Sequence, residues 1–520
     1  MIHKAVFFFA ALFALALAAA NIVLGTLNLD EGWYLYSAIS VSHGLAPYRD
    51  FFFTQAPMLP KVYALFAPLW SPHGVLGGRV LTAVIGLAAA LVAALAVRDA
   101  VPRNRRAAAS ATLFLLLAGN IYHSYFTVIP KTYALASLFI AAALFFLAKI
   151  PRYGLRGKNA YALAAFGGFW FAAAAATRLS LGIALAIAGF YFLVRCRRYG
   201  LCWLFFGIGG LLGLGLLLVP AALADIEAFK FANFFHGARS AGGIVLLAGS
   251  VSRLARNYMP LCLLLLAFAG CGFFGGFKRA TAEGLSDTLL TLLVFAGIFA
   301  VHVLSPFPYD DYQVPGMPLL AFAVTALFWR VLPVCADESR EIKAQNILLP
   351  LFLLIAVLFA GTSPLNESWV MVRKDRFWVQ MKEKPDILKL REVGREIAAS
   401  VPADKPLLTQ DTYLAVEAGR SVPPGFEMGP FGFFPALTDE ESARFHVINK
   451  SLAEKTFAEC GAPIAAFSGY SFAMAAPAMD KIDEMERNML FQSLAEGYEK
   501  IDEVADFGQE FTTLAIWKKK

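Results

Sequence analysis

Two adjacent carboxylates, Asp30 and Glu31, are the first charged residues after a long apolar stretch near the start of the chain. Residues 5–27 are long enough to span a bilayer, so the pair lies at a membrane–water boundary, where unsatisfied acids are costly. A carboxylate within hydrogen-bond reach of a hydroxyl or amine can remove its proton. We therefore predict that Asp30 is a general base, and that Glu31 either orients it or is a structural group bonded to backbone.

A third acid follows in the same region, where aromatic side chains and prolines lead into the next apolar stretch. Asp50 precedes three phenylalanines at positions 51–53. It could either bind the acceptor, meaning the molecule whose hydroxyl or amine Asp30 would deprotonate, or cap the start of a helix. The competing interpretation of residues 29–61 as a whole is an interfacial loop with a belt of aromatic residues.

Arg178 stands alone between two short apolar stretches. A guanidinium group stays charged and matches the oxygens of a phosphate, although an arginine at a helix end can also simply extend its charge to the interface. Further cations with the same potential role follow Pro130 or lie in a long polar stretch after residue 224: Lys131, Arg239, Arg253 and Arg256.

A second aromatic and acidic cluster lies in residues 305–318, which also contain four prolines. Tyr309 and Tyr312 could stack on a sugar ring, with Asp310 or Asp311 accepting hydrogen bonds from its hydroxyls. A proline-rigidified turn with a belt tyrosine is the alternative. His302, just before it, is interpreted as a core histidine.

Composition places the chain among polytopic membrane proteins. Its 520 residues are 58% hydrophobic, with a mean hydropathy of +0.61 and a formal charge of +7. The basic residues form short runs between apolar spans instead of a groove, which excludes a nucleic-acid partner. No phosphate-binding loop, dinucleotide fingerprint or zinc-type spacing occurs, and the six cysteines are interpreted as packing residues.

Eleven apolar spans are predicted, and the arginine-rich loops place the N-terminus in the cytoplasm and the C-terminal part outside. The outer face then includes loop 28–73. The predicted spans are residues 5–27, 74–97, 107–121, 132–147, 161–176, 181–194, 202–223, 258–277, 289–304, 314–328 and 347–365.

From residue 366 charges become frequent, and amphipathic segments alternate with short apolar ones. Helices are predicted at 386–400, 439–455 and 481–498, and extended segments at 406–410, 463–467 and 511–517. The chain is therefore predicted to contain two domains: a membrane domain, residues 1–365, and an α/β soluble domain, residues 366–520.

The first hundred residues resemble the GT-C superfamily of membrane glycosyltransferases, in its protein O-mannosyltransferase and lipid A aminoarabinose-transferase branch. The resemblance rests on Asp30-Glu31 after the first span, on the turn Gly44-Leu45-Ala46-Pro47-Tyr48-Arg49-Asp50 and on Gln55-Ala56-Pro57. The family often has Lys-Pro at the last position. Here the nearest cation is Lys61, which the resemblance suggests as a phosphate-binding residue.

The resemblance implies a GT-C-like fold and a transferase that moves a sugar from a polyprenyl-phosphate donor to a lipid, glycan or protein acceptor. The expected location is a bacterial inner (plasma) membrane, with membrane lipids around the protein and the reaction on the outer face. No cofactor is required, although a divalent metal is compatible with the site. The alternative is a transporter or a flippase for lipid-linked sugars, which would favour charges near mid-span or broken helices in corresponding halves.

Overall fold

The computed structural model describes residues 2–235, 251, 258, 261, 282–305, 309–331, 338–362, 384–472, 482–509 and 511–520. Apolar helices dominate the described residues before position 363. Alanine and leucine, which fill these segments, have high helix propensity, and a helix satisfies its own backbone hydrogen bonds inside a membrane. The main helices are α1 Ile2–Leu24, α2 Leu29–Ser42, α3 Met58–Leu65, α4 Gly74–Ala96, α5 Arg106–Ala118, α6 Ile121–Phe126, α7 Thr132–Leu147, α8 Lys158–Thr177, α9 Gly182–Val194, α10 Cys202–Leu217, α11 Ala282–Val303, α12 Met317–Val331 and α13 Glu338–Thr362.

A helix lies at each predicted span except 258–277, most of which falls outside the described residues. Among the described residues, five helical segments are long and apolar enough to cross a membrane. Four more are apolar but only 10–17 residues long, including Leu179–Val194 and Thr288–Val303. The chain is therefore mostly helical with several candidate membrane spans, and the count of eleven stays a prediction.

The segment 28–73, between the first two predicted spans, contains helices α2 and α3. Asn28 caps α2: its side chain accepts a hydrogen bond from the Asp30 backbone N–H at 3.1 Å. In return, Glu31 accepts one from the Asn28 N–H at 2.8 Å. This reciprocal pair satisfies amides that no helical carbonyl can reach, so the sequence Asn-Leu-Asp-Glu fixes where the helix starts.

Close helix packing holds the apolar helices together. Helices α8 and α10 approach so tightly that a Cβ at Gly209 would lie 1.9 Å from the Ala165 carbonyl oxygen. Small residues permit such contact between backbones, and dispersion is the main attraction between helices in lipid. The pair forms a firm support for the turn at Arg178, which directly follows α8.

The described residues after position 383 form helices and one antiparallel sheet of three strands, in the order β1-β3-β2. In the sheet, Ile464 of β1 lies opposite Lys518 of β3. The elements are α14 Asp386–Ser400, α15 Thr412–Ala418, α16 Asp439–Arg444, α17 Lys450–Glu459, β1 Ile464–Phe467, α18 Glu484–Gly497, β2 Tyr498–Phe507 and β3 Thr512–Lys519.

Two sequence predictions in this region were wrong. The single helix predicted over 439–455 is two helices, because His446 takes a left-handed conformation with φ of 57°. Strand β2 was not predicted at all. Its side chains are almost all exposed or half-buried between Tyr498 and Phe507, so it lacks the alternation of a half-buried strand.

The C-terminal part packs directly on helix α2. A Cβ at Gly32 would lie 2.2 Å from the backbone nitrogen of Tyr413, so only glycine allows α2 and α15 to meet there. The Tyr36 hydroxyl accepts a hydrogen bond from the Val422 N–H, and the Leu29 N–H donates to Gln509 at 2.8 Å. The helix that carries Asp30 is thus held from both the membrane part and the C-terminal part.

Candidate active site

Asp30 lies in the first turn of α2, where the positive end of the helix dipole favours a negative charge. One carboxylate oxygen accepts a hydrogen bond from the Trp33 indole N–H at 3.1 Å, and the other lies 2.9 Å from Lys131 Nζ. About a quarter of the side chain (26%) remains exposed. Asp30 is therefore both held in place and accessible to a substrate.

Lys131 connects two acids that are far apart in sequence. Its Nζ lies 2.9 Å from a carboxylate oxygen of Asp30 and 2.9 Å from one of Asp311. Lys131 is buried at the end of the loop before α7. Burial by itself lowers the pKa of Lys131, but attraction to the two carboxylates outweighs burial and holds that pKa well above its usual value. The ammonium group is therefore charged at neutral pH.

Asp311 lies in a short 3₁₀ helix, Asp310–Gly316, immediately before α12. One of its oxygens contacts Lys131, and the other, Oδ1, is buried with no hydrogen-bond partner among the described residues. A buried acceptor without a partner costs free energy unless something completes it. This oxygen can accept a hydrogen bond from a bound hydroxyl or amine.

Arg178 occupies the turn between α8 and α9. Its guanidinium carbon lies 4.0 Å from the Tyr312 ring centroid and 5.4 Å from that of Tyr133, and Nη1 lies 3.4 Å from the Tyr133 hydroxyl. Arg178 also interacts electrostatically with Asp311. Aromatic rings on two elements thus hold the cation against the 3₁₀ helix that carries Asp311, a more specific role than extension to an interface. We call Asp30, Lys131, Asp311 and Arg178 the ionic cluster.

Glu31 points away from the ionic cluster into a fully buried ion pair with Arg79 of α4. Arg79 donates through Nε and Nη2 to the two carboxylate oxygens, each at 2.6 Å. Its remaining donors reach backbone carbonyls of Ile22, Gly25 and Thr26 at the end of α1, at 2.8–3.1 Å. The pair therefore ties α1, α2 and α4 together one residue from Asp30.

Other sequence candidates lie apart from the ionic cluster or at its edge. Asp50 accepts hydrogen bonds from Arg49 and from the Ala46 N–H, and residues 51–53 are not helical, so the helix-cap interpretation is wrong. Lys61 is half-buried in α3, and burial lowers its pKa. Neither residue forms a hydrogen bond or ion pair with the described members of the cluster.

The remaining candidates border the cluster or fall outside the described residues. The ring of Tyr309 is half exposed and lies edge-on to that of Tyr312 at 5.5 Å, and Asp310 precedes Asp311 in the same 3₁₀ helix. His302 lies 2.9 Å, through Nε2, from the Ser180 hydroxyl, which links α11 to the Arg178 turn. Arg239, Arg253 and Arg256 lie outside the described residues.

Within the described ranges, no group of three or more His, Cys, Asp or Glu side chains is placed to hold a metal ion. Asp30 and Asp311 offer oxygen ligands of the kind that Mg²⁺ and Ca²⁺ prefer. Lys131 lies between them in this structure, so a metal ion would have to displace its ammonium group.

Comparison by sequence finds no matching family model and no matching curated protein. Comparison by structure does find matches. ArnT from Cupriavidus metallidurans bound to undecaprenyl phosphate superimposes with a TM-score of 0.61, at 14% identity, over 98% of this chain and 97% of that one. This chain has the GT-C fold. The apo state of the same ArnT gives a TM-score of 0.56 at 14% identity, again over 98% and 97%.

An oligosaccharyltransferase from Archaeoglobus fulgidus, tethered to an acceptor peptide, also matches. Its TM-score is 0.46 at 14% identity, over 89% of this chain and 68% of that one, which is too low to support an argument. The GT-C fold therefore rests on the two ArnT structures. This fold is the one that the resemblance of the first hundred residues implied, and the structural similarity covers 98% of this chain.

Sequence reasoning missed Arg79 entirely. The available signal was a single arginine inside an otherwise apolar span, residues 74–97, a position where a charge needs a partner. The partner, Glu31, is 48 residues away. Lys131 had been considered as a phosphate ligand, but its position between Asp30 and Asp311 had no counterpart in the sequence pattern.

Proposed function

We propose that this protein is a glycosyltransferase that moves a sugar from a polyprenyl-phosphate donor to a lipid, glycan or protein acceptor. The observation that carries the proposal is the ionic cluster at one end of a GT-C helix bundle. It combines a partly exposed carboxylate, Asp30, with two cations, Lys131 and Arg178, that protein side chains hold in place. Undecaprenyl phosphate, which is bound to the matched ArnT, is a lipid phosphate of the proposed class.

The proposed chemistry is a direct displacement. An acceptor oxygen or nitrogen attacks the anomeric carbon, and the bond from that carbon to the phosphate oxygen breaks with inversion. The acceptor's proton passes to the Asp30 carboxylate. The electron pair leaves with the phosphate, whose growing charge Lys131 and Arg178 stabilise. The lipid phosphate is itself the leaving group, so no cofactor is required.

The ion pair between Lys131 and Asp30 adds a step to this scheme. One carboxylate oxygen of Asp30 is occupied by the ammonium group of Lys131 at 2.9 Å. A donor phosphate that draws Lys131 toward itself would release Asp30 to accept a proton. In this proposal, donor binding therefore precedes and promotes activation of the acceptor.

A transfer assay with the purified full-length protein tests the function. Polyprenyl-phosphate hexose, pentose and amino-sugar donors are offered with lipid, glycan and peptide acceptors, with and without a chelator. Mass spectrometry detects glycosylated acceptor and released polyprenyl phosphate. A flippase would instead move labelled donor across vesicle bilayers without breaking the bond to the sugar, and that result would refute the proposal.

Arg178 offers a prediction about the donor. Arg178→Lys keeps the charge but cannot make a two-pronged contact with phosphate, so we expect weaker donor binding, seen as a higher KM for the donor. Arg178→Ala should weaken it further. Arg103→Lys, on an exposed arginine far from the cluster in sequence, is the control. Donor kinetics like those of the wild type in both Arg178 variants would show that its role is to anchor the helix end at the interface.

The proposed orientation places the ionic cluster on the outer face of a bacterial inner membrane and the N-terminus in the cytoplasm. Reporter fusions at Arg103, Arg197 and Lys278 should then give cytoplasmic signals, and a fusion after Trp517 an external one. The loops that contain the first three fusion sites are expected to be cytoplasmic because they are rich in basic residues. A cytoplasmic signal from the C-terminal fusion would overturn the orientation.

A further inference from the structure

The surface of the helical part has a groove that lies outside the ionic cluster. It has a volume of about 580 Å³ and lies between α9 and α11. Its walls are apolar, and Phe190, Val194, Leu289 and Leu293 are exposed along it. Volumes of roughly 300–1,000 Å³ are typical of sites that hold small molecules. A hydrocarbon chain fits the chemistry of these walls.

A cation closes one end of the groove. Arg195 lines it directly and lies with its guanidinium carbon 5.8 Å from the Tyr191 ring centroid. Because α9 rises by about 1.5 Å per residue over Gly182–Val194, Arg195 lies roughly 20 Å from the end of that helix beside Arg178. The groove therefore runs from the middle of the bundle toward the face opposite the ionic cluster.

Two further arginines, Arg197 and Arg198, follow on the short helix Cys196–Tyr199. That helix is held firmly, since Tyr199 is buried with its ring edge-on to Phe192 at 5.3 Å. Arg156 Nε also donates to the Arg198 carbonyl at 3.2 Å, which adds a fourth guanidinium nearby. The cations are thus presented together by a fixed backbone.

The described side chains offer these cations no acidic partner, and the two acids of α11, Glu283 and Asp287, have side chains outside the described set. No Asp or Glu occurs between Asp99 and Asp225. Among the described side chains, neither Arg195 nor Arg197 nor Arg198 forms an ion pair, and the Nε of Arg198 is buried without a hydrogen-bond partner. An apolar groove with Arg195 at one end matches a molecule with a hydrocarbon chain and an anionic head.

We propose that this groove binds an anionic phospholipid, with an acyl chain along α9 and α11 and the phosphate at Arg195, Arg197 and Arg198. Basic pockets at helix ends bind anionic lipid headgroups, and each cation near such a surface contributes about 1 kcal/mol. The donor's polyprenyl chain is a less suitable occupant, because the proposed donor phosphate lies at the opposite end of α9. Under the proposed orientation, the site faces the inner leaflet.

Native mass spectrometry of the full-length protein in detergent tests this site without any transferase assay. We expect phosphatidylglycerol to bind more tightly than phosphatidylcholine with the same acyl chains. Arg195→Gln should weaken phosphatidylglycerol binding about fivefold, the loss expected for one cation near the headgroup, and should leave phosphatidylcholine unchanged. Arg103→Gln, on another exposed arginine, should leave both unchanged.

A second pair of variants tests the groove itself. Leu293→Trp fills it and should reduce phosphatidylglycerol binding, whereas Val84→Trp, at an exposed position on α4, should not. Equal binding of the two phospholipids by the wild type would overturn the proposal. Competition by undecaprenyl phosphate that Leu293→Trp abolishes would also overturn it, and would assign the groove to the donor chain.

Discussion

Asp30→Asn should lower the turnover of sugar transfer by about 10²–10⁴-fold, the usual contribution of a general base. Asparagine keeps the size of the side chain and can still accept the hydrogen bond from Trp33, but it cannot take a proton from the acceptor at neutral pH. The KM for the donor should change much less, because its phosphate is expected to contact Lys131 and Arg178. Steady-state kinetics with saturating donor measure the difference.

Two comparisons make this experiment specific. Asp404→Asn replaces an exposed carboxylate in the C-terminal part and should retain normal turnover. Glu31→Gln should act mainly through stability, because Glu31 contacts Arg79 and the Asn28 N–H and not the cluster. A folded Asp30→Asn protein with nearly normal turnover would exclude Asp30 as the base and would remove the main chemical support for the proposed function.

Arg79→Met should destabilise the protein by about 3–5 kcal/mol, the usual cost of removing one partner from a buried ion pair. The variant leaves the Glu31 carboxylate uncompensated in an apolar region, and it removes donors from three carbonyls at the end of α1. Such a loss is a large part of the 5–15 kcal/mol that stabilises a typical domain. Thermal unfolding of the detergent-purified protein should show a clearly lower Tm.

The double variant Glu31→Gln with Arg79→Met distinguishes the ion pair from simple loss of packing. Removing both charges should recover part of the stability that Arg79→Met loses, since no buried charge is left alone. Arg103→Met is the control for loss of an exposed arginine and should unfold like the wild type. An Arg79→Met protein as stable as the wild type would show that the pair contributes nothing to holding α1, α2 and α4 together.

The sequence alone determined the features that depend on nearby residues. Apolar stretches predicted the membrane helices because their length and composition suffice to identify them, as at Thr132–Leu147. The amphipathic segment Asp386–Ser400 is a helix with the predicted bounds, since its pattern repeats at the helical period. Asp30 could be singled out because two adjacent acids beside a membrane span are conspicuous in any chain.

Only the tertiary structure decided which of these residues meet. Lys131 joins Asp30 and Asp311, which are separated from it by 101 and 180 positions, and no local pattern encodes those distances. The same holds for Glu31, whose two interpretations stayed open in the sequence until the Arg79 contact was seen in the structure. The residues next to Glu31 in the sequence determine only how α2 begins. Spacing specifies helices, but the partners of buried charges depend on how the helices pack, and that is a property of the whole chain.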